Sequence, residues 1–255
     1  MRYSNVMYCH FSPSGTTRSI AHIFAAAFPG EKTELDFIHT PLKEEKDIPG
    51  DVVTIVAVPV YSGRIPAVCM EQLVRLNGNG TPAIALAVYG NRDYDDALLE
   101  LSNTLTERGF TLVGAGAFVA RHSIFPRIAA GRPDAKDREI IEEFAAKCLS
   151  KLDSDESGPL QVRGNMPYKT PGTVPLKPTA DKRCDGCGAC ARVCPVQALG
   201  KGTPPQKNAG ACISCAACIA ACPQQAQAFR GVLYALAGCM FTRKNKARKE
   251  PEYFV

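Results

Sequence analysis

The chain has 255 residues, a length that fits two domains better than one. Its composition, 45% hydrophobic and 22% charged, is typical of a globular protein. No apolar run is long enough to span a bilayer as a helix. The net charge of +5 is concentrated after residue 152, but the sequence has no aromatic-rich RNA motif and no basic recognition helix, so it does not predict nucleic-acid binding.

The N-terminal stretch MRYSNVMYCHF alternates polar and apolar residues and lacks the apolar core of a secretory signal. We therefore expect a cytoplasmic protein. Cysteines usually stay reduced in the cytoplasm, so the 12 cysteines predict metal or redox chemistry rather than disulfides.

Residues 1–152 alternate apolar strands with amphipathic helices, the order that predicts a doubly wound α/β domain with five parallel strands. The predicted strands are Tyr3–Tyr8, Lys32–Ile38, Val52–Val58, Pro82–Gly90 and Thr111–Ala120. The predicted helices are Arg18–Phe28, Pro66–Leu76, Tyr94–Arg108 and Asp134–Lys151.

Three further segments follow this domain. Residues 153–177 are rich in proline, glycine, serine and charge, which predicts a linker. Residues 178–230 contain eight cysteines, and we expect them to form a second domain. Residues 231–255 are an apolar stretch and a basic tail, for which we expect a helix packed between the domains, with contact to an anionic membrane as the alternative.

Two copies of the pattern C-x2-C-x2-C-x3-C-P occur, one beginning at Cys184 and the other at Cys212. Two-residue spacings let three thiolates converge from one tight loop, while the fourth cysteine can reach a different metal centre. Other residues recur at the offset that separates Cys184 from Cys212, which indicates an internal duplication. Structural zinc is the alternative, although zinc sites usually use two C-x2-C pairs.

This segment resembles bacterial ferredoxin modules with two 4Fe-4S clusters, which implies a small α+β fold. The resemblance implies one cluster on Cys184, Cys187, Cys190 and Cys222, and another on Cys212, Cys215, Cys218 and Cys194. Many such ferredoxins are acidic, whereas this module is basic. The difference suggests an acidic docking face on a redox partner, or on the first domain of the same chain.

The loop SPSGTT follows the first strand and opens the first helix. It lacks the dinucleotide fingerprint and the lysine of a P-loop. Its amides and hydroxyls at a helix N-terminus suit a phosphate monoester, although serine or threonine there can also serve only as a cap. The loop is therefore a candidate phosphate site.

In a doubly wound sheet of order 2-1-3-4-5, ligands bind at the carboxyl ends of strands 1 and 3. The loops PVYSGRIP and YGNRDYDDA lie at this edge, and with SPSGTT they make residues 1–150 resemble flavodoxins. The resemblance implies FMN, and it assigns phosphate binding to Ser12, Ser14, Gly15, Thr16 and Thr17. Its ring would lie between the loop with Pro59, Val60, Tyr61, Ser62 and Gly63 and the loop with Tyr89, Gly90, Asn91 and Tyr94. Arg64 borders this site, and we expect it to face solvent or a docking partner.

Over nearly its whole length the chain resembles the flavodoxin–ferredoxin fusions of anaerobes. This implies an electron-transfer protein that passes low-potential electrons between two 4Fe-4S clusters, FMN and a partner oxidoreductase. The alternatives are an FMN-dependent reductase of a small molecule, with residues 121–137 roofing the flavin, and an FMN-free redox sensor. We expect no catalytic side chain and no transmembrane segment.

Overall fold

A computed structural model describes residues 3, 5–154, 158 and 160–255. Residues 1, 2 and 4, which belong to the predicted first domain, and residues 155–157 and 159, which belong to the predicted linker, lie outside the described residues. The strands are β1 (Asn5–His10), β2 (Glu31–Asp36), β3 (Lys46–Asp47), β4 (Val52–Pro59), β5 (Leu76–Asn77), β6 (Pro82–Tyr89), β7 (Thr111–Val119), β8 (Thr179–Ala180), β9 (Gln227–Ala228) and β10 (Glu252–Phe254). The helices are α1 (Thr16–Ala26), α2 (Ala67–Leu73), α3 (Ala97–Glu107), α4 (Ala135–Asp153), α5 (Ala189–Arg192), α6 (Ala217–Ala220) and α7 (Val232–Lys244).

The main sheet has the strand order β10-β7-β6-β4-β1-β2. Its five long strands are parallel and follow the order 2-1-3-4-5, which defines a flavodoxin-like doubly wound fold and confirms the predicted class. The short β10 adds a sixth, antiparallel strand beside β7, so the prediction of five strands was one too few.

The two central strands are fully buried, because helices cover both faces of the sheet. Every residue of β4 and every residue of β6 is buried. One core contains residues of α1 and α4, where Phe24 and Phe144 pack with ring centroids 5.1 Å apart. The other core lies beneath α2 and α3 and includes Cys69 and Leu101.

The cysteine-rich segment is a small α+β unit in which β8 pairs antiparallel with β9. Its duplication extends to the backbone. Left-handed φ angles occur at equivalent positions of the two copies, namely Gly186/Ser214, Gly188/Ala216 and Gln197/Gln225. The two cysteine loops therefore have the same local conformation.

The C-terminal residues return to the first domain. Tyr234 and Phe241 of α7 pack against Phe125, with centroids 5.5 and 5.2 Å away. The basic tail then crosses the sheet edge, where Arg248 pairs with Asp134 at 2.5 Å. No helix among the described residues is both long and apolar enough to cross a membrane.

Candidate functional site

A cavity of about 560 Å³ lies at the carboxyl ends of the parallel strands, the edge at which doubly wound folds bind ligands. Its size falls within the range of small-molecule sites. One wall comes from the loops after β1, β4 and β6. The opposite wall comes from the 121–125 segment, the linker, the second cysteine loop and α7.

The loop before α1 contributes hydroxyls to one end of this cavity. Ser14, Thr16 and Thr17 line it, next to first-turn amides that have no intrahelical acceptor. Gly15 is the helix N-cap at φ +85°, a left-handed conformation that favours glycine. Ser12 does not line the cavity, and its Oγ accepts a bond from the Arg18 amide at 2.9 Å. The arrangement suits a phosphate held without a cation.

The loop after β4 lies along the cavity as the sequence predicts. Pro59, Val60, Tyr61, Ser62 and Gly63 all line it. The chain turns sharply here, because both Ser62 and Gly63 have positive φ angles. A side chain on Gly63 would overlap the carboxylate of Asp95 in the loop after β6.

The loop after β6 divides between two roles. Tyr89 and Gly90 line the cavity, whereas Asn91 and Tyr94 do not. The Asn91 amide donates to the carbonyls of Asn245 and Ala247 at 2.7 and 2.8 Å, which fixes the C-terminal tail. Tyr94 is fully buried and donates to a Glu252 carboxylate oxygen at 2.6 Å. Its ring is therefore not available to stack on a flavin.

The prediction that Arg64 faces solvent or a docking partner is wrong, because its guanidinium is bonded within the chain and positions neighbouring segments. Its Nε and Nη2 donate to the buried carboxylate of Glu100 at 2.8 and 2.6 Å. A third bond, from Nη1, reaches the Lys169 carbonyl at 2.7 Å. Arg64 thereby connects the loop after β4 to α3 and to the linker.

His122 lies in the 121–125 segment, which forms the roof of the cavity. Its hydrogen bonds define its tautomer. Its Nδ1 accepts bonds from the amides of Ile124 and Phe125 at 3.1 and 3.2 Å. The neutral ring therefore carries its proton on Nε2. Burial lowers the pKa of His122 to about 4, so the ring is neutral at pH 7.

We expect acid to destabilise the protein through His122. The folded pKa lies below the unfolded value of 6.5, so the unfolded chain binds more protons as the pH falls from about 6.5 towards 4, and stability is lost in that window. The loss is about 2 kcal/mol at pH 5, or about 4–8 °C in Tm. His122→Asn keeps an acceptor for the two amides but does not titrate, and should remove this part of the pH dependence.

Thermal unfolding followed by far-UV circular dichroism at pH 7 and pH 5 measures the effect. His22→Gln, at an exposed position on α1, is the control. An equal loss of Tm in the wild type and in His122→Asn would contradict the prediction.

The linker is fixed along the first domain, and its residues 172–176 form part of the cavity wall. Buried Asp96 accepts bonds from the amides of Asn165 and Lys169 at 2.8 and 2.7 Å. Burial alone would raise the pKa of Asp96, but these N–H donors hold it below its usual value. Ser62 Oγ adds a bond to the Gly172 carbonyl at 3.0 Å.

We expect Asp96→Ala to release the linker, because it removes the buried carboxylate to which the amides of Asn165 and Lys169 donate, at a cost of about 3 kcal/mol. Limited proteolysis should then cut residues 160–177 at least tenfold faster. Asp93→Ala is the matched control, since the exposed ion pair between Asp93 and Arg163 contributes less than about 1 kcal/mol. Equal cleavage of both variants would contradict this role for Asp96.

The eight motif cysteines gather into two groups of four. One cavity, of about 410 Å³, is lined by Cys184, Cys187, Cys190 and Cys222. A second, smaller cavity is lined by Cys194, Cys212, Cys215 and Cys218. In each group the fourth thiol comes from the other repeat, as the spacing pattern predicts. No group of three or more His, Cys, Asp or Glu side chains in the described ranges is placed to hold a single metal ion.

Backbone amides donate to sulfur at equivalent positions of the two repeats. The Ala198 amide lies 3.2 Å from Cys194 Sγ, and the Ala226 amide lies 3.3 Å from Cys222 Sγ. Burial would raise the pKa of Cys222, but the amides that follow it hold the pKa below its usual value. Burial raises the pKa of Cys215 to about 12, so this thiol is expected to lose its proton only to a metal.

The cavity at the carboxyl ends of the parallel strands (the flavin-type cavity) is adjacent to the second thiol cavity. Ile213, between two motif cysteines, lines both. Tyr61 lies near enough to Cys215 for a thiolate there to add to the effect of burial, which raises the pKa of Tyr61 well above its usual value. The four thiols around each thiol cavity fit an iron–sulfur cluster. The flavin-type cavity, with the hydroxyls of the SPSGTT loop at one end and mostly apolar walls, fits a flavin mononucleotide.

These features define a redox electron-transfer protein in which a flavodoxin-like domain is joined to an iron–sulfur module. Residues 183–227 match the family model of the 4Fe-4S dicluster domain. No curated sequence matches the chain.

Solved structures similar to the N-terminal part of the chain include a flavodoxin from Streptococcus pneumoniae and one from the domain Archaea. The first is 20% identical with a TM-score of 0.41, and covers 58% of this chain and 99% of its own. The second is 15% identical with a TM-score of 0.42, and covers 59% of this chain and 99% of its own. The Flv1 flavodiiron core from Synechocystis is 13% identical with a TM-score of 0.41, and covers 61% and 37%. The strand order of this chain, rather than these low scores, defines its fold.

Sequence reasoning missed two parts of the cavity wall, the linker residues 172–176 and the cysteine-loop residues Ile213 and Ser214. The linker carried a signal that composition alone hides. In TVPLKP, Pro175 lies between Val174 and Leu176 and Pro178 follows, and such proline-rich segments are stiff rather than flexible.

Proposed function

We propose that this protein transfers electrons in the cytoplasm between FMN and a partner oxidoreductase through two 4Fe-4S clusters. One observation carries the proposal: the cavity at the flavodoxin-like edge is walled on its far side by a cysteine loop of the dicluster segment. Because the two sites share a wall, electrons can pass between them without a domain movement.

In this proposal the chain divides its residues between two tasks. Ser14, Thr16 and Thr17 hold the phosphate, while the loops containing Gly63 and Gly90 lie along the ring. The eight motif cysteines hold the clusters in the two groups of four described above. FMN supplies two-electron and one-electron chemistry when bound, and each cluster supplies one-electron chemistry.

The decisive experiment measures the iron, sulfide and flavin content of protein purified without oxygen. We expect about eight irons, eight sulfides and one FMN per chain, from two four-iron centres and one flavin fold. Tetrahedral zinc in place of iron would refute the proposal. Iron without flavin would favour the FMN-free redox sensor instead.

The segments that cover one side of the cavity favour a second candidate, reduction of a small molecule at the flavin. Residues 121–125, residues 172–176 and α7 cover the site, so a flavin bound there would not present a flat edge to another protein. A small acceptor could still enter a cavity of this volume.

Reoxidation of the reduced protein by a panel of small acceptors separates the two candidates. A reductase should show rates that saturate with acceptor concentration, because substrate must first bind in the cavity. An electron carrier should show rates that rise linearly with small acceptors and saturate only with a protein partner.

A further inference from the structure

The two cysteine loops have the same backbone but different surroundings. When the copies are aligned on Cys184 and Cys212, each charged residue around the first loop corresponds to an uncharged residue in the second. The pairs are Asp181/Ala209, Lys182/Gly210, Arg183/Ala211, Asp185/Ile213 and Arg192/Ala220. The duplication has therefore produced one charged loop and one apolar loop.

Exposure divides the loops in the same way. In the first loop, Asp185, Gly186 and Cys187 are exposed. Their counterparts are less exposed, with Ser214 at 2% and Cys215 at 8% of full accessibility. The first thiol cavity consequently lies near solvent and the second lies inside the protein.

Specific contacts fix the second loop to the flavin-type cavity. Ser214 Oγ donates to the Leu176 carbonyl at 2.7 Å, and Lys177 Nζ donates to the Cys212 carbonyl at 2.5 Å. Ile213 forms the wall shared with the flavin-type cavity. The first loop makes none of these contacts among the described residues, and its cavity is lined only by residues of the cysteine-rich segment.

Positively charged side chains outnumber negatively charged ones around the first loop. Arg183 and Arg230 both pair with the one carboxylate of Asp181 at 2.8 Å. Arg192 donates to the Cys187 carbonyl at 3.0 Å, and Lys201 lines the first thiol cavity. Together with the exposed Lys182, the first loop has five positively charged and two negatively charged side chains around it. The net charge stays positive even when a charge of about −2 on a four-thiolate cluster is included.

We propose that the two clusters have fixed and different roles, with the Cys212–Cys218 loop facing the flavin and the Cys184–Cys190 loop serving as the outer port, where an acidic one-electron carrier protein docks. This inference rests on the proposed function and names the partner's chemistry and place. Each encounter oxidises the carrier by one electron and reduces the outer cluster by one. With both clusters and FMN bound, that electron would pass to the inner cluster, and two encounters would supply the two electrons needed to reduce FMN, with protons from solvent.

Charge reversal at the port provides the first test. The probe is a reduced acidic bacterial ferredoxin, mixed anaerobically with the loaded protein in a stopped-flow instrument at low salt. Lys182→Glu with Lys201→Glu should lower the second-order rate constant at least tenfold, because electrostatic steering changes association rates by about 10- to 1,000-fold. The difference should shrink at high salt.

Two controls make this result specific. Lys136→Glu with Arg138→Glu reverses two exposed charges on α4 and should change the rate less than twofold. The cationic methyl viologen radical, used as the reductant, should react faster with the port variant than with the wild type. Equal effects of the two double variants, or no effect of the port variant, would overturn the assignment of the port.

The second test uses the equivalent positions of the duplication. Ile213→Asp puts a charge in the wall of the flavin cavity and should weaken FMN binding at least tenfold, measured by fluorescence titration. Asp185→Asn, at the matching position of the first loop, should change FMN binding less than twofold. Similar effects of both changes would refute the inner and outer assignment.

Failure of this inference differs from failure of the proposed function. Protein that lacks iron clusters or FMN would remove the proposed function itself. Protein that is fully loaded but insensitive to both sets of substitutions would remove only the roles assigned to the two loops.

Discussion

Serine in place of Cys215 is expected to remove a cluster and release FMN, whereas serine in place of Cys187 is expected to remove a cluster only. The two cysteines occupy equivalent positions in the duplication. Each change should lower the iron content from about eight to about four per chain. Without its metal the loop loses its fold, and only the loop of Cys215 forms part of the flavin cavity wall, through Ile213 and Ser214.

Iron, sulfide and flavin content, together with the EPR spectrum of the reduced protein, measure both losses. We expect the FMN dissociation constant to rise at least tenfold in Cys215→Ser and less than twofold in Cys187→Ser. Cys239→Ser is the control, because that exposed cysteine lines neither thiol cavity. Equal flavin loss in the two ligand variants would show that the cavity does not depend on which loop is intact.

Alanine in place of Gly90 is expected to disrupt the flavin cavity from the side of its roof. An added Cβ would lie 2.6 Å from Cδ2 and 2.8 Å from Cγ of His122. The imidazole cannot easily move, since its Nδ1 accepts the amides of Ile124 and Phe125. Overpacking of this kind costs about 1–3 kcal/mol, and displacement of the roof should weaken FMN binding at least tenfold.

Gly172→Ala offers a matched control in the same cavity. There an added Cβ would meet only Ser62 Oγ, at 4.0 Å. Tm and FMN affinity should stay close to those of the wild type in this variant and fall in Gly90→Ala. If both variants bind FMN with the affinity of the wild type, the contact between Gly90 and His122 does not shape the site.

The first domain could be predicted from the sequence because its signals are local. Buried runs such as Val52–Pro59 and Pro82–Tyr89 identify central parallel strands without knowledge of their neighbours. The cysteine spacing likewise carries its own geometry within a short stretch of chain. Loops at the carboxyl edge follow directly from the strand order.

Other features were hidden because they depend on contacts between distant parts of the chain. Asn91 and Tyr94 lie in a loop that resembles a flavin loop, but their partners are Ala247 and Glu252, close to the C-terminus. The sixth strand is very short and follows a basic stretch, so no periodic pattern distinguishes it from a tail. Only the folded chain brings these residues together.

The pairing of β10 with β7 determines how the iron–sulfur unit is attached to the first domain. Residues 252–254 complete the sheet that residues 5–119 begin, so the iron–sulfur unit is an insertion anchored at both ends. Attachment at both ends limits how far this unit can move relative to the first domain, unlike attachment through one flexible tether. We therefore expect any redox partner to dock on the iron–sulfur unit where it stands beside the first domain.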